Sequence, residues 1–93
     1  MDYYTMKEQK VTIQNRLGLH ARAAAMFSRQ ASEFHSSIVV IKDGTEVNGK
    51  SIMELLTIAA TKGSSITIKA HGKDEAQAVT VLSELVKQGF GES

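Results

Sequence analysis

Ile38-Val39-Val40-Ile41 is followed after a single lysine by Asp43-Gly44, and no other stretch of the chain limits its fold so tightly. The run is β-branched, too short for a helix and suited to a buried strand. Asp-Gly is a strong local signal for a type I′ turn, which needs left-handed backbone at both central positions and turns the chain back antiparallel. Thr45-Glu46-Val47-Asn48 reads as the partner strand. A β-hairpin therefore sits near the middle of the chain, and everything else has to pack on a sheet that contains it.

The flanking segments supply that sheet and its cover. Residues 7–13, ending Val11-Thr12-Ile13, alternate weakly and suit a strand. Ser65-Ile66-Thr67-Ile68-Lys69-Ala70 alternates cleanly, which implies one buried and one wet face. From His20 the period changes: Ala24, Phe27, Ala31 and Phe34 recur at steps of three and four, with polar residues between them. A second helix starts at Ser51, where Ser51 and Glu54 form a capping box, and ends before Gly63. Its core stripe is expected to be Leu55, Ile58 and Ala59. Asp74 with Gln77 reads as another cap. The last helix carries Ala78, Val79, Leu82, Leu85 and Val86 on one stripe and stops at Gly89, with Phe90 placed for a Schellman contact. The order is β-α-β-β-α-β-α. One-sided helices and alternating strands predict an α+β, open-faced two-layer sandwich, its sheet wholly antiparallel and all three helices on one face.

At 93 residues the chain is one domain, and 42% hydrophobic residues can fill its core. Met1–Thr5 reads as a flexible extension ahead of a single domain at 6–93. There is no cysteine, so no disulfide framework is needed and a reducing cytoplasm is the expected location. No apolar run approaches the roughly 20 residues of a membrane span, and Met1-Asp2-Tyr3-Tyr4-Thr5-Met6 is no signal peptide. A net charge of +1 from scattered basic residues is a poor footprint for nucleic acid. His35 and His71 lack acidic or cysteine companions at ligand spacing, so they are expected on the surface, with no metal site and no cofactor.

The segment with chemistry in it is Gly18-Leu19-His20-Ala21-Arg22-Ala23-Ala24-Ala25. A glycine loop delivers a histidine to the first turn of a helix, and an arginine follows two residues later. Helix N-termini present unpaired N–H groups and partial positive charge, a natural anion site. Arg22 adds a planar fork suited to phosphate oxygens. Imidazole is a competent nucleophile near neutral pH, and phosphoryl transfer is catalysed mainly by positioning and charge stabilisation. His20 as a phosphoryl acceptor and His20 as a solvent-exposed cap beside a surface arginine are both compatible with this pattern.

Gly18-Leu19-His20-Ala21-Arg22 resembles the active-site segment of the histidine-containing phosphocarrier (HPr) family of the bacterial phosphoenolpyruvate:sugar phosphotransferase system, and Gly49-Lys50-Ser51-Ile52-Met53 resembles that family's second signature. Gly63, and Gly72 before Asp74-Glu75, fall where the family has them. The resemblance runs from Met6 to the C-terminus. It implies a sheet of strand order 1-4-2-3 under three helices. It also implies that His20 accepts a phosphoryl group on Nδ1 from Enzyme I, that Arg22 steadies it, and that a sugar-specific IIA component receives it. This makes the chain a carrier rather than a free-standing enzyme, and it is expected to work as a monomer in sugar uptake or its regulation. The family usually has proline after the arginine, where this chain has Ala23, and often a small polar residue where it has Leu17. Ala23 gives up a preset φ but adds one N–H donor.

Ile52, Met53 and Leu56 exceed what a short helix needs for the core. Either the helix is deeply buried or the three face outward as a docking patch, the place where the family meets Enzyme I and IIA. Ser51 is fully explained as an N-cap; the resemblance adds a regulatory phosphoserine made by HPr kinase/phosphorylase. Two rivals differ in class. An acyl-phosphate hydrolase of similar length would carry a V-x-F-R loop, which this chain lacks. An HPr-like regulator acting mainly in signalling shares the His-Arg segment and stays open.

Overall fold

The Asp43-Gly44 turn takes the left-handed backbone its sequence demands, with φ of 49° and 83°, and closes on the pair Lys42 and Thr45. The computed structural model describes residues 6–92, so the segment read as an N-terminal extension, with Tyr3 and Tyr4, lies outside the described residues. The elements are β1 (Met6–Thr12), α1 (Ala21–Ala31), β2 (Ser37–Lys42), β3 (Thr45–Asn48), α2 (Ile52–Thr57), β4 (Ser65–His71) and α3 (Glu75–Lys87), with a 3₁₀ turn at Gly89–Gly91. All strand pairs are antiparallel in the order β1-β4-β2-β3, as expected.

Register explains which face is covered. Val40 lies between Ile68 of β4 and Val47 of β3, Ile38 opposite Ala70, and Val11 opposite Ile66. All seven are buried. The helices lay Ala24, Phe27, Ala31, Leu55, Ala78, Val79, Leu82 and Val86 on this surface, and strands and helices make one core. Burying a Val, Ile, Leu or Phe side chain stabilises by about 1.5–3 kcal/mol, so a one-residue slip of any strand would forfeit several such contributions at once. Among the described residues the opposite face, with Thr67, Lys69, Val39 and Ile41, carries no helix.

Three local readings need correction. Ala59 is exposed and Ala60 takes the core position instead. The cause is a reversal: α2 ends at Thr57 and Ala59 adopts φ of 49°, so the helical stripe is not continued. Only half of the expected capping box forms. Ser51 Oγ accepts from Glu54 N (3.1 Å), but the Glu54 carboxylate takes the N–H of Asn48 (2.9 Å) because Ser51 N already donates to Asn48 O.

Asp74 does not cap α3 with its side chain. Its carboxylate instead accepts from His35 N (2.8 Å), Ser36 N (2.9 Å) and Ser36 Oγ (2.5 Å), latching the chain leaving α1 to the start of α3. Three converging donors outcompete a single helix N–H. The local side-chain bond at this helix start is made by Glu75, which accepts from Gly72 N at 3.0 Å in the turn before it. The Ser36 hydroxyl first, then the backbone N–H of His35, hold the Asp74 carboxyl down from 3.8 to about 2. A depressed carboxylate contributes stability that is complete above its ordinary pKa and lost as pH falls through the folded value. Wild type is therefore expected to lose its advantage over Asp74→Asn between 3.8 and about 2, read from denaturation midpoints across that range. A constant difference down to the lower limit would show that the latch is not ionic.

Candidate functional site

The loop from β1 to α1 is tied to the chain entering β4, with Ile13 N donating to Ser64 O and Gly63 N to Ile13 O, both at 2.9 Å. Gly18 closes a turn on Asn15 O in left-handed backbone (φ 68°), and Leu19 N then donates to Ala60 O at 2.9 Å. His20 follows as the extended N-cap residue of α1 (φ −81°, ψ −178°). Its carbonyl accepts the first helical bond, from Ala24 N, but its side chain makes no capping bond. The ring is thereby released from the helix and turned toward the other end of the chain.

There it meets Glu92. After α3, Gly89 and Phe90 both adopt left-handed backbone and Phe90 is buried, so the 3₁₀ turn carries Glu92 back over the β1–α1 loop. His20 Nε2 and Glu92 Oε2 are 2.6 Å apart. Asn15 Nδ2 donates to Glu92 Oε1 (2.9 Å) and to Gly18 O (2.8 Å). The Asn15 hydrogen bond is the main influence holding the Glu92 carboxyl below its usual range. The bond and charge of His20 and the charge of Arg22 add to it, against a partial desolvation that pushes up. An ionised carboxylate only accepts hydrogen bonds, so Nε2 carries the ring proton. In the neutral ring Nδ1 then holds the free lone pair, and among the described residues it has no hydrogen-bond partner. Arg22, exposed on the first turn of α1, lines the same open cleft of about 510 Å³, with Arg16 and Leu17.

The two residues expected in the site, His20 and Arg22, are thus brought to one cleft. Ser51 caps α2 away from it. Ile52, Met53 and Leu56 are 42%, 77% and 39% exposed, as the outward reading requires. Leu17, 63% exposed, adds an apolar residue at the rim of the His20 cleft. α1 and α2 pack on each other, and the bond from Leu19 to Ala60 fixes the His20 loop to the chain just after α2. Asn15 and Glu92 were not legible as site residues: one reads as loop polarity, the other as a residue after the last helix. His35 and His71 are exposed, and no group of metal-ligating side chains is found among the described residues.

The open-faced antiparallel sandwich thus presents one histidine at a helix start, beside an arginine. The PTS-HPr family model, described as the PTS HPr component phosphorylation site, matches residues 7–88. The phosphocarrier protein HPr of Neisseria meningitidis serogroup A is 47% identical over 87 residues, 94% of this chain and 98% of that protein. The HPr-like protein Crh of Bacillus subtilis is 41% identical over 89% of this chain and 98% of its own length. The crystal structure of HPr from Thermoanaerobacter tengcongensis superposes with a TM-score of 0.90 at 42% identity, covering 94% of this chain and 98% of that one. The chain belongs to the HPr family of the phosphotransferase system.

Proposed function

We propose that the chain accepts a phosphoryl group on Nδ1 of His20 from the phosphohistidine of Enzyme I and passes it to a histidine of a IIA component. The observation that carries this reading is the division of labour in the His20 ring: Nε2 is held by Glu92 at 2.6 Å, and Nδ1 is free in the cleft that Arg22 lines. In the forward step the Nδ1 lone pair attacks phosphorus as the donor's N–P bond breaks, and the donor imidazole keeps that electron pair. The Nε2 proton stays where it is, against Glu92. Arg22 and the free N–H groups of the first turn of α1 receive the charge on the phosphoryl oxygens. Transfer onward repeats the step with His20 as the leaving nitrogen.

Every residue of this site comes from one copy of the chain, so the reading needs only a monomer. Partners dock on the apolar surface of Leu17, Ile52, Met53 and Leu56. Among the described residues no helix is long and apolar enough to cross a membrane, which suits work beside Enzyme I in the cytoplasm. The test is incubation with phosphoenolpyruvate and purified Enzyme I, mapping of the phosphate, and then addition of a IIA acceptor. Label on His20 that no IIA component takes up would favour a regulatory carrier.

Ser51 as a regulatory site for HPr kinase/phosphorylase makes a separate prediction. A phosphate there adds about −1.5 to −2 charge at a helix start, where negative charge is tolerated or stabilising by roughly 0.3–1 kcal/mol. The same charge borders Ile52 and Met53, where a docking partner must desolvate it. Ser51→Asp is expected to stay within about 1 kcal/mol of wild-type stability while transfer from Enzyme I falls several-fold. Ser51→Ala, missing the bond to Glu54 N, should lose about 1 kcal/mol and transfer normally. Wild-type transfer by Ser51→Asp would leave Ser51 a cap only.

A further inference from the structure

Asn15 is 1% exposed, and its amide is committed in an unusual way. Nδ2 donates to both Gly18 O and Glu92 Oε1, while Oδ1 is buried with no partner. A buried carbonyl oxygen left unpaired is costly, and an apolar side chain in the same place would avoid that cost. Turning the amide over gives no relief, because Oδ1 would then face two acceptors, the Gly18 carbonyl and the Glu92 carboxylate. The amide is locked in one orientation, and the orphaned oxygen is the consequence of keeping its NH₂ group on Glu92.

We infer that Asn15 is a positioning residue for His20, setting through Glu92 which ring nitrogen carries the proton. Glu92 follows a short 3₁₀ turn, and Asn15 and His20 are its hydrogen-bonding partners. By pinning Oε1, Asn15 aims Oε2 at Nε2. The other charged groups of the cleft, Arg22 and Arg16, would draw an unpinned carboxylate away from the ring. Released from Oε2, the ring could place its proton on either nitrogen, and the form protonated at Nδ1 has no lone pair there to attack phosphorus. The inference rests on His20 Nδ1 as acceptor. In that step the Nδ1–P bond forms, the donor's N–P bond breaks and the Nε2 proton never leaves.

Glu92→Gln gives the sharpest test, because its effect depends on Asn15. With Asn15 present, the introduced amide must keep its oxygen toward Asn15 Nδ2 and so turn its NH₂ group to His20. Nε2 then becomes the acceptor and the proton moves to Nδ1. Nitrogen-15 spectra of the His20 ring in the unphosphorylated full chain should show that change of tautomer. Single-turnover transfer from phosphorylated Enzyme I should slow at least about tenfold, since a misplaced imidazole tautomer is severe in related proton arrangements. Adding Asn15→Ala frees the introduced amide to turn its oxygen to His20, which should return the proton to Nε2 and recover much of the rate. Asn15→Leu with Glu92→Gln, which removes the Asn15 donor and fills its buried place with an apolar side chain of similar size, should do the same and serves where the alanine variant does not fold. A purely structural role for Asn15 predicts the reverse, two losses that add. A Glu92→Gln ring still protonated at Nε2, or no recovery on changing Asn15, overturns the inference. Failure of wild-type His20 to take up phosphate would sink the carrier reading alone, because the ring spectra need no Enzyme I.

Discussion

His20→Ala will take up no phosphoryl group from phosphorylated Enzyme I, and its melting curve will stay close to that of wild type. The loss should be complete because, among the described residues, His20 supplies the only imidazole nitrogen in the cleft that Arg22 lines. The fold should survive because the ring is partly exposed and makes its bond to Glu92 rather than to the helix. An N-cap substitution to alanine costs stability when it deletes a side-chain bond to the first turn; His20 makes none, and its capping carbonyl is kept. The adduct on wild type should be acid-labile and base-stable, as phosphorus bonded to an imidazole nitrogen requires. Arg22→Ala, at an exposed position, should fold normally and label more slowly. Phosphate carried by His35, His71 or the His20→Ala protein would move the acceptor elsewhere.

The parts of this molecule that could be read from sequence are those whose causes are local. Ile38–Ile41 with Asp43-Gly44 contains its own turn geometry, and the observed φ angles repeat it. The alternation in Ser65–Ala70 says which side of β4 is wet, and the stripe at Ala24, Phe27 and Ala31 says which side of α1 is not. The spacing of His20 and Arg22, two residues apart at one helix start, is local in the same way and places both at one cleft, while the role of His20 rests on the family resemblance. The reading failed where a side chain had a distant choice of partner. Asp74 looked like a cap for its own helix, yet its carboxylate serves His35 and Ser36, 38 or more residues earlier. Glu92 and Asn15 are separated by 77 residues, and Glu92 and His20 by 72. No local period or spacing encodes such pairs; only the sheet order, which returns the end of α3 to the β1–α1 loop, creates them.

Gly18→Ala is the second change with a large expected effect, on stability and transfer together. Gly18 has φ of 68°, and a Cβ built on it would lie 2.5 Å from Ala60 O and 3.0 Å from Thr61 Cα. Both neighbours are backbone, so no side chain can swing aside. Left-handed backbone costs a residue with a Cβ about 1–2 kcal/mol. The clash adds more, because moving the loop away from Ala60 stretches the 2.9 Å bond from Leu19 N that fixes the start of α1. Strain of this kind with a weakened hydrogen bond should lower stability by about 2–4 kcal/mol. Gly63→Ala separates the two contributions: its φ is 89°, but a Cβ there meets nothing within 4 Å. It should show the backbone cost alone, about 1–2 kcal/mol, and transfer at the wild-type rate. Urea denaturation of both variants measures the difference. Labelling of folded Gly18→Ala should also be slowed, because the loop that sets the distance from His20 to Glu92 has shifted. Equal losses for the two variants would mean that the loop yields freely, and that the close approach of Gly18 to Ala60 does not hold His20 in place.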